Sequence, residues 1–281
     1  MRGSSAIQLS EIRQQYAAPG LGERIEAAFR QAGLPLSSYE DLFVVDQLHI
    51  RGVEAVRDLA GLLGLPPGSR VLDLGCGLGG PARLMAAEFG WRVTGVDLCA
   101  DFVQAARRLS RRVGLAKALH FLVADATRLP LTGSWARAVF SLHVQMNIQD
   151  KSAYLSRAAE QLVQGGKLVV YEIFAGPTQP VLYPTPWADV PQRSALCTPE
   201  AFLQLAEAAG LSCERWVEES ARCLDWFQQR LAKRHPVPGP DLGLVMHTAL
   251  EAKLRNVRQN LEEKRIRVFT GIFSRQKTEL S

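Results

Sequence analysis

A chain of 281 residues, 47% of them hydrophobic, is long enough for one large domain or a domain with an appended lid. Its 22% charged residues place it among ordinary globular proteins, and it has no run of about 18 apolar residues that could span a membrane. The net charge of +5 is mild, and five scattered cysteines (Cys76, Cys99, Cys197, Cys213, Cys223) with no C-x-x-C pair argue against a disulfide framework and a zinc site.

The opening stretch, MRGSSAIQLSEIRQQY, lacks an apolar core followed by a small-residue cleavage site, so no secretory leader is expected and the expected location is cytoplasmic. Residues 1–64 read as a helical N-terminal cap broken at APGLG and AGLPLSS. Val53, Val56, Leu59, Ala60 and Leu63 recur at helical spacing and give one apolar face. LPPGS ends that segment, because two prolines cannot continue a helix.

From Arg70 the period changes. Short apolar runs (RVLDLG, WRVTGVDL, LHFLVAD, WARAVFSLHV, GGKLVVYEIF) alternate with helical patterns (PARLMAAEF, DFVQAARRLSRRV, KSAYLSRAAEQLV). Alternation at this spacing means βαβ units and a parallel, doubly wound sheet with helices on both faces. The basic RRLSRR, 107–112, lies within a helical pattern and is read as a solvated face rather than a nucleic-acid contact.

Residues 175–199 carry six prolines and cannot be regular structure. A loop that long is usually functional or disordered; Leu182, Tyr183 and Trp187 favour an ordered, packed lid. TPEAFLQLAEAAG then opens a helix with Thr198 as N-cap and Pro199 at the first helical position. Residues 222–262 are mostly helical in pattern, interrupted by HPVPGPD, and KRIRVFTGIFSR closes the chain as a strand. The division expected is a cap at 1–64 and a core at 65–281, with the lid inserted at about 175–199 and a helical insertion at about 222–262.

DLGCGLGG, 73–80, sits between the first strand and its helix, where such sheets bind nucleotide-like ligands. Gly75, Gly77 and Gly80 also satisfy the G-x-G-x-x-G of dinucleotide enzymes, so the loop alone does not choose. Asp73 does: two residues before the first glycine, a carboxylate repels a pyrophosphate but can hold an ammonium. Asp97 ends the second strand, where an acid can take both hydroxyls of a ribose.

VLDLGCGLGG, VTGVDL, VADATRLP and LVQGGKLVVYEIF together resemble the ordered motifs of class I S-adenosylmethionine-dependent methyltransferases, over roughly residues 65–220. The resemblance implies a Rossmann-like, seven-stranded sheet with an antiparallel last strand, and S-adenosyl-L-methionine as cofactor. By position it implies that Gly75 and Gly77 cradle the methionine part, that Asp97 with Leu98 takes the ribose, that Asp125 with Ala126 faces the adenine, and that Ser141 lies near the methionine amino end. DQLHIRGVEAVRDLA, the lid and the late helices are similar to small-molecule methyltransferases of the sarcosine/dimethylglycine type. Several such families carry an acid after the fourth strand and a histidine four residues later, where this chain has His143 and Asn147.

His143, at the carboxyl end of the fourth strand, is the candidate general base, with an ordinary pKa near ~6.5. A tertiary amine would need no base, whereas an alcohol, phenol or carbon acid would. Substrate-facing candidates are Gln47 and His49 in the cap, Gln145 and Asn147 after the fourth strand, and Tyr183, Trp187 and Arg193 in the lid. Aromatic faces there could hold a cationic amine, and Arg193 a carboxylate or phosphate.

The expected activity is therefore methyl transfer to a small molecule, first to the amine of an amino acid-like substrate and second to oxygen or carbon of a secondary metabolite. No metal site, nucleic-acid partner or membrane association is expected, and the assembly is expected to be a monomer or homodimer. Rival readings are an NAD-dependent oxidoreductase, a nucleic-acid methyltransferase and a binding protein that keeps the cofactor fold without catalysis.

Overall fold

A computed structural model describes residues 10–232, 239–246 and 249–276. The first nine residues of the expected cap and much of the HPVPGPD interruption lie outside the described residues.

Residues 10–15 form a helical turn, followed by α1 (Leu21–Gln31), a 3-10 turn (Tyr39–Leu42), the short α2 (Phe43–Asp46) and α3 (Gly52–Leu63). The alternating region gives β1 (Arg70–Leu74), α4 (Gly80–Phe89), β2 (Arg92–Asp97), α5 (Ala100–Arg112), β3 (Leu119–Val123) and β4 (Ala136–Leu142). A 3-10 turn (Gln145–Asn147), α6 (Lys151–Gln161), β5 (Leu162–Ala175), α7 (Pro199–Ala208) and β6 (Leu211–Glu218) follow. α8 (Ser220–Ala232), α9 (Gly243–Met246), α10 (Leu250–Glu262) and β7 (Ile266–Arg275) complete the chain.

The seven strands form one sheet in the order β3-β2-β1-β4-β5-β7-β6, with β7 antiparallel to both of its neighbours and β1 to β5 parallel. This is the expected topology. β1 is buried on both faces: Val71 joins the cluster under α3 and α4, while Leu72 and Leu74 join the one under α6 and α7. Two covered faces explain why these strands read as continuous apolar runs rather than alternating ones. β4 stops at Leu142, earlier than its apolar run predicted, because His143 takes a left-handed backbone with φ 56°.

The cap is fastened to the core in two ways. Leu21, Ile25 and Phe29, one face of α1, pack with Phe102, Ala105 and Leu109 of α5. Asp46 accepts a 2.8 Å hydrogen bond from Arg83 of α4, and both side chains are buried. Three of the four arginines of RRLSRR bond within the chain: Arg107 to Phe121 O, Arg108 to Glu23 and Glu26, and Arg112 to Leu36 O.

The proline-rich segment packs against the late helices. Leu182 N–H donates to Asn260 Oδ1 at 2.8 Å and Asn260 Nδ2 donates back to Leu182 O at 2.9 Å, which joins the lid to α10. Trp187 is buried, its Nε1–H donating to Ser194 Oγ at 3.0 Å.

Candidate active site

The carboxyl ends of β1 to β4 open into one cavity of about 1160 Å³, roofed by the cap, the lid, α8, α9 and α10. Asp73, Gly75, Gly77, Asp97, Leu98, Asp125 and Ala126 line it at the β1–β3 side. Gln47, His49, His143, Asn147 and Trp187 line it at the other. The fold thus brings twelve of the sequence candidates to one space.

At the glycine loop, Gly75 has φ 72°, and a Cβ there would come within 2.4 Å of Val144 Cγ2. Only glycine lets the loop pass under the turn that follows β4. The loop amides are not all free: Gly75 N–H donates to Val96 O at 2.7 Å and Gly77 N–H to Asp97 Oδ2 at 2.9 Å. The other Asp97 oxygen accepts from Cys99 N–H at 2.8 Å, so the carboxylate is held rigidly at the end of β2. Asp125 Oδ1 accepts from both Thr127 N–H and Thr127 Oγ1–H at 2.8 Å, which fixes its turn beside Ala126.

Asp73 stands apart. It is buried and its Oδ2 has no hydrogen-bond partner. Burial, with the negative charge of Asp97 nearby, pushes its carboxyl up to about 8. A buried acceptor without a donor is costly and suits a cation delivered from outside. Arg83 of α4 is committed to Asp46, Leu78 O and Ser110, so its guanidinium is not free to pair with a pyrophosphate.

The turn after β4 is organised from below by Glu172 of β5. Glu172 accepts from Ser141 Oγ, from Val144 N–H at 2.8 Å and from Gln145 N–H at 3.2 Å. Burial raises its carboxyl to about 7. His143 N–H donates to Tyr171 O at 2.8 Å and its ring stacks on Tyr171 with centroids 5.0 Å apart, at 6.2 Å from the His49 ring. His143 Nε2 is buried without a partner, and burial together with His49 lowers the imidazole well below its ordinary value. Burial therefore favours the neutral form of this ring, where the sequence suggested a histidine with its ordinary value. His49 Nε2 pairs with Gly52 O at 2.9 Å, and burial lowers His49 to about 4.

Four sequence candidates lie elsewhere. Ser141 is fully buried beneath the cavity, donating to Glu172 and accepting from Tyr154. Gln145 is buried too, its amide donating to Ile173 O and accepting from Cys197 Sγ. Tyr183 packs against the hydrophobic cluster under the lid, and Arg193 sits on the lid's 3-10 turn (Pro191–Arg193); neither lines the cavity. Side-chain direction after a strand end depends on turn geometry, which spacing alone does not reveal.

Sequence reasoning missed other lining residues. Trp226 and Phe227 of α8 and Leu254 and Val257 of α10 form a wall, but at helical spacing they are indistinguishable from core positions. Tyr16 also lines the cavity, its hydroxyl donating to Asn147 Oδ1 at 3.4 Å and its carbonyl accepting from Cys99 Sγ.

Residues 72–170 match the methyltransferase domain family. Over those residues, about a third of the chain, the sequence is similar to methyltransferase domains. Its sequence is 32% identical over 142 residues to phosphoethanolamine N-methyltransferase 3 of Arabidopsis thaliana, a stretch covering 50% of this chain and 29% of that protein. It is 35% identical over 124 residues to 2-methyl-6-phytyl-1,4-hydroquinone methyltransferase of a Synechocystis strain, 44% of this chain and 38% of that one. The chain thus spans well under half the length of these curated relatives. Among solved structures, geranyl diphosphate C-methyltransferase from Streptomyces coelicolor superposes with a TM-score of 0.68 at 17% identity, over 95% of this chain and 98% of that chain. The [4+2]-cyclase SpnF superposes with a TM-score of 0.63 at 20% identity over 94% of this chain and 99% of its own, so this fold also serves other chemistry.

The residues present fit S-adenosylmethionine. Asp73 offers an unpartnered carboxylate for a cationic end, Asp97 a fixed carboxylate for a diol, and Asp125, Ala126 and Leu98 a polar edge with apolar faces for a base.

Proposed function

We propose that this chain is an S-adenosylmethionine-dependent methyltransferase acting on a small molecule. The observation that carries the reading is the buried, unpartnered Asp73 carboxylate at the glycine loop, in one cavity with Asp97 and Asp125. Bound there, the cofactor would supply a methyl group already activated on a positive sulfur. The protein's task is then to hold the acceptor in line and exclude water. The cap and lid provide exclusion, and the turn after β4 provides a wall of defined shape.

The second reading of the sequence, transfer to oxygen or carbon, gains support from the site. Arg193, the lid group that would hold a carboxylate, and Tyr183, one of the two lid aromatics that would hold an amine, lie outside the lining, and only Trp187 lies within it. His143, neutral and stacked on Tyr171, can accept a hydrogen bond from a hydroxyl and orient it. A ring of such low basicity contributes mainly by positioning rather than by taking the proton fully.

Calorimetry with S-adenosylmethionine, its demethylated product and NAD tests the reading. Saturable binding of the first two and none of NAD is expected; failure of both to bind would end the proposal. Tight binding without methyl release from any acceptor would instead favour a non-catalytic protein or another chemistry on this fold.

A further inference from the structure

The acceptor side of the cavity is more informative than its size. Trp187 of the lid, Trp226 and Phe227 of α8, Leu254 and Val257 of α10 and Met146 after β4 make a continuous apolar wall. Two cations reach this wall from buried positions, and both are answered by acids. Arg51 is held by Asp58 at 2.5 Å with Glu219 at 3.8 Å, and Lys253 by Asp189 at 3.2 Å. Among the described residues, the other cations of the lining, Arg13, Arg128 and Arg230, are solvent-exposed, with Arg230 lying over the Trp226 ring. At the inner end stand His143 and the Asn147–Tyr16 pair, which offer hydrogen bonds but no charge. At about 1160 Å³ the cavity exceeds the roughly 300–1,000 Å³ usual for one ligand, so it has room for a second molecule beside a nucleoside.

A zwitterionic amino acid or a diphosphate brought against such a wall would lose its hydration where the buried cations Arg51 and Lys253 are already paired with acids, the other lining arginines lying out in solvent. We infer that the acceptor is a neutral molecule with a large apolar body and a hydrogen-bonding end, the body lying on the Trp187–Trp226–Leu254 wall and the polar end reaching His143 and Asn147. This rests on the methyltransferase reading for the word acceptor, but the binding itself is measurable without it.

The test is calorimetric titration of the full chain, alone and loaded with S-adenosylhomocysteine, with 1-naphthol, 1-naphthyl phosphate and sarcosine at pH 7. Saturable binding of 1-naphthol is expected, weaker by about tenfold or more for the phosphate and undetectable for sarcosine. Leu254→Asp should weaken 1-naphthol about tenfold or more with S-adenosylhomocysteine affinity unchanged. Leu254→Asn serves as the milder variant if the aspartate impairs folding. Equal or tighter binding of the phosphate or of sarcosine would overturn the inference, as would 1-naphthol binding indifferent to both substitutions. Absence of S-adenosylhomocysteine binding would overturn the cofactor reading instead, and the titrations of the unloaded chain would still decide this one.

Discussion

Asp73 is where stability and ligand binding oppose each other. Its carboxyl is raised by burial from an ordinary 3.8 to about 8, so between those values the folded chain keeps a proton that the unfolded chain has lost. Stability therefore falls as pH rises through that window and levels off above it. Glu172, raised from 4.5 to about 7, acts in the same direction over a narrower range. Asp73→Asn should raise the melting temperature at pH 8 by several degrees, change it little at pH 4, and weaken S-adenosylmethionine binding about tenfold or more. A variant that melts no higher at pH 8, or binds as wild type, would contradict this assignment. His143 provides a second check at the same scale. Because burial lowers it, its ring resonances should not titrate between pH 6 and 9, and a transition near the ordinary ~6.5 in NMR would show the ring solvated. His143→Ala should lower turnover without moving the pH profile in that range.

At the scale of elements, two contacts join pieces that are distant in sequence. The buried Asp46–Arg83 pair ties α2 of the cap to α4 of the core, and Asp46→Ala would leave a buried guanidinium with one fewer acceptor. A loss of about 3–5 kcal/mol in unfolding free energy is expected, measured by denaturant titration. A loss below about 1 kcal/mol would mean the pair is solvated in solution. The glycine loop meets the turn after β4 at Gly75 and Val144. Gly75→Ala should reduce cofactor affinity strongly, and Val144→Ala added to it should restore only part. The clash is relieved by the second change, but the left-handed backbone at φ 72° stays unfavourable for alanine.

For the molecule as a whole, the cavity exists only when cap, core, lid and late helices are assembled, since each supplies lining residues. Binding of S-adenosylhomocysteine should slow hydrogen exchange at Gly77 and Cys99 and also across Leu48–Gly52 in the cap. Protection confined to the core would mean that the cap does not close over the cofactor.

Strand and helix order, the glycine loop and the acids Asp73, Asp97 and Asp125 were legible in the sequence because local periodicity and strand-end position determine them. The seven-stranded sheet with an antiparallel last strand followed from the family resemblance and is what the structure shows. What spacing could not reveal is which way side chains point once a strand ends. His143, left-handed, turns its ring onto Tyr171, while Ser141 and Gln145 turn into the protein toward Glu172 and Ile173. Nor could it reveal that Tyr183 and Arg193 miss the cavity while Trp226 and Leu254 reach it. An apolar residue at helical spacing looks the same whether it faces a core or an empty space, and only packing across more than a hundred residues of chain separates the two. The sequence by itself determined the class of fold and the end of the sheet where a cofactor would lie. Tertiary structure alone decided which apolar residues face the cavity, that the buried Lys253 beside them pairs with Asp189, and that burial lowers His143, because all three come from contacts between segments far apart in the chain.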